Sequence, residues 1–276
     1  MLRQRTLSVA VFVPPLLIVL ALGEPWFGAL IAAFVAVGAW EAMRLLRQAG
    51  YAVMPAAGVA GALAVAASVA GLPGWGSYEA LVVGGVVAVA GIAAFVERDT
   101  TVGLAAWMAT AFGAVYVGQL GALIRIGQVA PALPAAAPAA QLGAARGWIL
   151  LVVLLVWSFD TGAYFLGTAL GKRKFLSHIS PSKSYWGVFG GLATSTVVAV
   201  VGMWALGQPP VLGLAIGPLV SIAAQAGDLA ESMLKRAAGA KDSGDLIPGH
   251  GGILDRVDSF IFAAPVVAAY VAAVVR

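Results

Sequence analysis

The chain has 276 residues, 61% of them hydrophobic and only 10% charged, with a mean hydropathy of +0.96. Soluble domains carry about 25% charged residues, so a water-facing globule is excluded and a polytopic membrane protein, solvated by lipid, is the class that fits. The net charge of +4 marks cytoplasmic loops rather than a nucleic-acid surface in so apolar a chain, and the absence of cysteine excludes disulfides, cysteine-bound zinc and thiol nucleophiles.

A membrane-spanning helix needs roughly 17–25 mostly apolar residues. Nine segments are candidates, the first and eighth of them short or interrupted: 8–23, 26–43, 55–72, 79–96, 104–124, 148–170, 187–206, 210–227 and 259–275. The first follows Arg3 and Arg5 and has the outline of a signal peptide, with "ALG" as its cleavage site. It reads better as a span, because the next apolar stretch begins almost at once. Pro14 and Pro15 are expected to bend it. Glycine pairs such as Gly84/Gly85, and the set Gly187, Gly190 and Gly191, are expected to form close helix interfaces. Segment 127–147 is a Pro/Ala-rich external connector with no chemistry assigned to it. The chain thus divides into an N-terminal part, 1–146, with five spans and the connector, and a C-terminal part, 147–276. The second part carries two cytoplasmic loops, 171–186 and 228–258, where the chemistry is expected.

Loop charge sets the orientation. With the N-terminus in the cytoplasm, 13 of the 16 lysines and arginines fall on the inner side; only Arg125, Arg146 and Arg276 do not. The predicted fold is therefore all-α, with about nine transmembrane helices, a cytoplasmic N-terminus and the polar loops facing the cytoplasm.

Twelve acids are present. Glu24, Glu41, Glu79, Glu97 and Asp99 lie at span ends or in loops, where solvation explains them. Asp160 differs: it is embedded in "LLVVLLVWSFDTGAYFLG", and an ionisable group at such depth points to function, against the simpler reading of a hydrogen-bonded structural aspartate. Asp228, Glu231, Ser232 and Lys235 are spaced 3, 4 and 7 apart and share one face of a helix. Asp255 and Asp258 in "LDRVD" are also i, i+3, although acids at a helix start are explained equally well by capping. Between these two acidic groups lies a glycine-rich loop, 244–252, with His250. Carboxylates without cysteine suit magnesium rather than zinc. Interleaved lysines and arginines suggest that the metal works beside phosphate oxygens, and glycines let backbone N–H groups approach such oxygens. This pattern points to metal-assisted phosphoryl or nucleotidyl transfer at a membrane surface. A second basic cluster, "LGKRKFLSHISPSKSYWG", is accounted for in its "GKRK" part by topology alone. In "SPSKS", Ser180, Ser182 and Ser184 around Lys183 add hydroxyl donors for a phosphate.

The stretch 232–258, "SMLKRAAGAKDSGDLIPGHGGILDRVD", closely resembles the signature of the phosphatidate cytidylyltransferase (CDP-diacylglycerol synthase) family. Ser232, Lys235, Arg236, Lys241, Asp242, His250, Gly251, Gly252, Asp255, Arg256 and Asp258 occupy the signature positions. The upstream blocks "GDLAES", "DTGAY" and "SPSKS" extend the likeness over roughly 150–260. Two positions depart from the family's common pattern: Ser184 stands for a threonine, keeping the hydroxyl, and Trp186 for an acid or amide. Trp186 can neither accept a proton nor bind a metal. The resemblance implies transfer of a cytidylyl group from CTP to phosphatidate in the inner membrane, giving CDP-diacylglycerol and pyrophosphate. It implies Asp228 and Asp255 as ligands of Mg2+, and it admits a monovalent cation such as K+ beside it. Lys235, Arg236, Lys241 and Arg256 are expected on phosphates, and Lys183, Ser184 and Ser180 near a substrate phosphate. His250, Asp258, Ser232, Gly251 and Gly252 are expected in the site, with Asp160 orienting a basic group or lining the lipid entrance. A homodimer is also suggested by the resemblance alone.

A transporter could use Asp160 and Asp228 to bind protons or cations, but it leaves the dense loop 235–258 without a purpose. A CDP-alcohol phosphotransferase shares substrates and location. Its block opens Asp-Gly-x-x-Ala-Arg, and no Asp-Gly dipeptide occurs here. A structural scaffold has little use for clustered acids.

Overall fold

The computed structural model of the protein describes residues 15–75, 77–245 and 251–275. Every named element in it is helical, as lipid requires of segments that must satisfy their own backbone groups. Residues 15–22 are helical. They precede α1 (Trp26–Gln48), α2 (Pro55–Val69), α3 (Glu79–Ala94) and α4 (Thr100–Gly118). A 3-10 turn, Gln119–Gly121, joins α4 to α5 (Ala122–Val129). Then follow α6 (Ala144–Leu170), α7 (Tyr185–Ala205), α8 (Gly213–Ala237) and α9 (Leu254–Tyr270), which ends in a π turn, Val271–Val275.

Six of the predicted spans correspond to helical segments long and apolar enough to cross a membrane: Trp26–Gln48, Thr100–Val129, Ala144–Leu170, Tyr185–Ala205, Pro210–Ala237 and Leu254–Val275. The spans predicted at 55–72 and 79–96 are shorter helices, Pro55–Val69 and Glu79–Ala94. At 1.5 Å per residue they reach about 22–24 Å, less than the roughly 30 Å hydrocarbon core. The sequence window overestimated both because it counted apolar residues beyond the helix end. Ala70 is the C-cap of α2 and Gly71 follows with φ +69, while Phe95 is the C-cap of α3. The first predicted span lies partly outside the described residues. Elsewhere helices run past their apolar windows: α8 continues to Ala237 and so carries Asp228, Ser232 and Lys235 on regular helix.

The chain forms two compact units. The first comprises the chain up to Ile124 together with Leu234–Val257. Its helices approach through missing side chains. The Met43 methyl would lie 2.4 Å from a Cβ at either Gly58 on α2 or Gly113 on α4, so the thioether is wedged against both. A Cβ on Gly118 would stand 2.6 Å from the Val65 side chain, and one on Gly121 would stand 2.2 Å from the Ala66 carbonyl oxygen. That last neighbour is backbone and cannot step aside. Gly121→Ala should therefore lower stability by about 3 kcal/mol, read as a fall in the thermal midpoint of the detergent-purified protein; an unchanged midpoint would show that the contact between α2 and the Gln119–Gly121 turn is softer than its geometry. Gly84 and Gly85 correct the sequence expectation: both are exposed, with open space where a Cβ would sit. The interior side of α3 is instead Ala90, Gly91 and Ala94, and a Cβ on Gly91 would stand 2.9 Å from the Trp107 ring. Small residues permit an interface without choosing which face makes it.

The second unit comprises Arg125–Met233 and Asp258–Arg276. Here the expected interface at Gly187, Gly190 and Gly191 is present. These glycines of α7 meet the Ala163 carbonyl, the Gly162 carbonyl and the Phe159 ring of α6. Across the same seam Thr194 Oγ1 donates to the Ser158 carbonyl at 2.9 Å and Ser195 Oγ to the Leu155 carbonyl at 3.1 Å. Small residues bring the backbones close, and hydroxyls then find carbonyls on the neighbouring helix. The first turns of α8 pack equally tightly on α7, at Gly213 against Val200 and Gly217 against Thr196.

Candidate active site

Two clusters of polar side chains stand out, one in each unit. The first surrounds the start of α9. Asp255, on the first turn, accepts four hydrogen bonds. Lys235 Nζ donates to Oδ1 at 2.6 Å; Ser243 N, Ser243 Oγ and Gly252 N donate to Oδ2 at 2.8, 2.8 and 2.9 Å. The Lys235 and Asp255 side chains are only 12% and 8% exposed, so this ion pair is largely withdrawn from solvent.

Behind it lies a second carboxylate. Glu41, on α1 and 5% exposed, accepts from Ser243 Oγ at 3.1 Å, Ile253 N at 3.1 Å and Leu254 N at 2.7 Å. The glycines of the "GG" step follow from these carboxylates. Gly251 has φ +77, and a Cβ on it would stand 2.5 Å from Asp255 Oδ2. A Cβ on Gly252 would meet both Glu41 oxygens, at 2.3 and 2.4 Å, and Ser243 Oγ at 2.4 Å. The first glycine is needed for its left-handed backbone, the second because an acid side chain lies against its Cα.

The second cluster centres on Asp228, just past the midpoint of α8. Lys183 Nζ forms an ion pair with Asp228 Oδ2, and Ser232 Oγ donates to Asp228 Oδ1 at 3.3 Å. Lys183 is delivered by a compact turn. The Lys174–Ser184 bridge, with Phe175 N donating to the Lys183 carbonyl at 3.0 Å, pairs the two limbs of the basic loop. The Arg173 guanidinium lies 5.1 Å from the centre of the Tyr185 ring, and Phe175 packs edge-on against that ring. Ser184 is 2% exposed and caps α7, its Oγ accepting the Gly187 N–H at 3.1 Å. Gly167, Gly171 and Gly187 crowd the same hydroxyl. Asp160, on α6, is exposed, and the charges acting on it are Lys183 and Asp228.

The predicted site residues thus divide. Asp255, Lys235, Gly251 and Gly252 come together in one cluster, and Asp228, Lys183 and Ser232, with Asp160 nearby, in the other. Arg236 is exposed and turns back to the Ala240 carbonyl at 3.1 Å, closing the end of α8. Lys241 and Arg256 are exposed, Ser180 is buried, and Asp258 is half-buried. His250 lies outside the described residues. Trp186 is 47% exposed and packs edge-on to Phe189. Glu24, Glu79 and Asp99 are exposed as expected, Asp99 capping α4 through Thr101 N and Val102 N. Glu41 overturns the expectation of solvation: position near a span end said nothing about a loop more than 200 residues later folding onto it. Ser243 was likewise missed, since it is one serine among polar neighbours in "KDSGD".

The donor atoms are carboxylate, hydroxyl and ammonium groups without sulfur, a set suited to a hard cation and to phosphate oxygens. Among the described residues no group of three or more histidine, aspartate or glutamate side chains could enclose a metal alone.

Comparison with known proteins places the chain in a family. The sequence pattern of the Cytidylyltransferase family matches residues 3–274. Over 285 aligned residues the chain is 40% identical to a phosphatidate cytidylyltransferase of Pseudomonas aeruginosa, covering 98% of this chain and 96% of that protein. Over 124 residues it is 50% identical to the phosphatidate cytidylyltransferase of Synechocystis, covering 43% of this chain and 42% of the relative. Over 123 residues it is 47% identical to that of Haemophilus influenzae, covering 42% and 43%. The last two alignments span less than half of each relative; the Pseudomonas alignment spans nearly all of it.

Proposed function

The chain belongs to the cytidylyltransferase family, and we propose that it transfers the cytidylyl group of CTP to phosphatidate, forming CDP-diacylglycerol and releasing pyrophosphate. The observation that carries this reading is the buried Lys235–Asp255 pair, built from residues at signature positions and braced by the Ser243 and Gly252 N–H groups. An oxygen of the phosphatidate phosphate attacks the α-phosphorus of CTP. As that P–O bond forms, the bond from the α-phosphorus to the bridging oxygen breaks, and pyrophosphate leaves with the electron pair. The attacking oxygen is already anionic, so no strong base is required.

The main obstacle is the repulsion between two polyanions. Fixed cations lower it, and those held in place before the substrates arrive need no further ordering. Lys183 and Lys235 fit that description, each anchored by an aspartate. An ammonium has three N–H donors, and the Asp228 bond of Lys183 uses one. Lys241, Arg236 and Arg256 would add charge from the exposed side of the site, and Ser232 would orient Asp228. Ser184 acts through Lys183, by starting α7 at the point where that lysine projects.

Mg2+ is assigned to Asp228 and Asp255, where it would shield the phosphates and stabilise charge on pyrophosphate. Two carboxylates are few, but magnesium usually keeps waters and takes phosphate oxygens as its other ligands. A monovalent cation beside it, the inner-membrane location, the cytoplasmic orientation and a homodimer remain parts of the same proposal.

The test uses the purified protein in detergent with labelled CTP, phosphatidate and magnesium. Product should form and should depend on magnesium. Asp228→Asn should reduce the rate by about 10²–10³-fold, while Glu24→Gln, at an exposed helix start, should leave it unchanged. Failure to form CDP-diacylglycerol beside an active relative would refute the reading. A normal rate in Asp228→Asn would remove Asp228 from the reaction.

A further inference from the structure

We propose that Glu41 is a positioning residue for the transfer: it fixes the turn from which Asp255 emerges and thereby holds the Lys235–Asp255 pair in register. The inference rests on the reading above in one respect, that Asp255 takes part in the reaction.

Glu41 is buried on α1 and exposes 5% of its surface. Isolated buried carboxylates are strongly disfavoured, so a buried one is informative through what compensates it. The compensation at Glu41 comes from the two ends of the glycine-rich loop. On the near side, Ser243 Oγ lies 3.1 Å from Oε2, and a Cβ on Gly244 would stand 2.7 Å from Oε1. On the far side, Ile253 N donates to Oε1 at 3.1 Å and Leu254 N to Oε2 at 2.7 Å. A Cβ on Gly252 would collide with both oxygens. The carboxylate is therefore a clamp across the loop's neck. It binds N–H groups at the head of α9, which have no partner within their own helix and which attract negative charge through the helix dipole.

The clamp touches Asp255 through one shared donor and one shared neighbour. Ser243 Oγ lies 2.8 Å from Asp255 Oδ2 as well as 3.1 Å from Glu41 Oε2. One hydroxyl has one proton, so the two carboxylates compete for it and the serine is the node between them. Gly252 N donates to Asp255 Oδ2 at 2.9 Å, and the Cα of the same residue rests on Glu41. Removing Glu41 would loosen Ser243 and Gly252, the two residues whose three donors hold Oδ2, and leave the Lys235 contact on Oδ1 as the firmer restraint on Asp255. Glu41 itself need not touch a substrate.

Purified Glu41→Ala, Glu41→Gln, Glu41→Asp and Asp255→Asn would be compared with the parent protein by steady-state transfer and by thermal unfolding in detergent. Glu41→Ala should lower kcat per folded molecule by about 30-fold while KM for CTP stays within about threefold. Glu41→Gln keeps the shape and one oxygen acceptor, and should recover to within about fivefold of the parent kcat. Glu41→Asp, too short to reach across the neck, should not recover. A parental kcat in all three Glu41 variants would overturn the inference. So would losses that track only the folded fraction, with kcat per folded molecule unchanged, because Glu41 would then serve stability alone. If Glu41→Ala does not fold, the contrast between Glu41→Gln and Glu41→Asp decides. Parental turnover in Asp255→Asn would instead refute the role of Asp255, and this inference with it. An inactive Asp255→Asn beside normal Glu41 variants would refute the positioning role only.

Discussion

Asp255→Asn is expected to reduce cytidylyl transfer by about 10³-fold and to destabilise the protein by about 3 kcal/mol. The two effects have different origins. Asparagine keeps an oxygen that can accept from Ser243 N and Gly252 N, so the turn itself should survive. The charge is lost, and Lys235 is deprived of a carboxylate 2.6 Å away in a largely desolvated place. Breaking one side of such a pair is far worse than removing both sides. Lys235→Met combined with Asp255→Asn should therefore regain most of the thermal midpoint and none of the activity. If the double variant is no more stable than the single one, the ion pair is not the source of the instability.

Gly252→Ala is expected to be nearly as damaging, although it adds a single carbon. That carbon would stand within 2.4 Å of both Glu41 oxygens and of Ser243 Oγ. Three polar atoms cannot retreat together without breaking the bonds that hold Asp255. A loss of stability of about 3 kcal/mol and of activity by about 10²-fold is expected, read by unfolding and by product formation. Gly239→Ala makes the control. Gly239 also has a positive φ, +66, but nothing lies within 4 Å of its missing side chain. It should lose about 1 kcal/mol from backbone strain and keep its activity. Similar activity losses in both variants would mean that helix-end strain, rather than the carboxylate contact, controls turnover.

Much of this was legible in the sequence because it is local or compositional. The apolar windows located the long helices, since lipid imposes both length and composition on each. The polar signature 232–258 announced itself against an apolar background, and i, i+4 spacing anticipated the Ser232–Asp228 hydrogen bond. Helix ends were less legible. Hydropathy does not register where the backbone stops spiralling, so α2 and α3 read longer than they are, and the 3-10 turn at Gln119–Gly121 inside one apolar run left no trace. Long-range pairing was not legible at all. Glu41 looks like any acid near a span end, and Gly84 and Gly85 look like any interface glycines. Only the folded arrangement separates the first, buried under a distant loop, from the other two, which face outward.

The clamp at Glu41 also has a consequence for the order in which the protein can be completed. Its partners Ile253 and Leu254 lie 212 and 213 residues further along the chain. At roughly 5–20 residues per second, a ribosome needs about 10–40 s to travel from the acid to the N–H groups that receive it. Throughout that interval α1 carries a carboxylate whose final partners have not been synthesised, so α1 cannot settle into its finished seat when it is made. Helix α1 and the turn before α9 are locked by the same three hydrogen bonds, and this part of the chain closes only after Leu254 has been made.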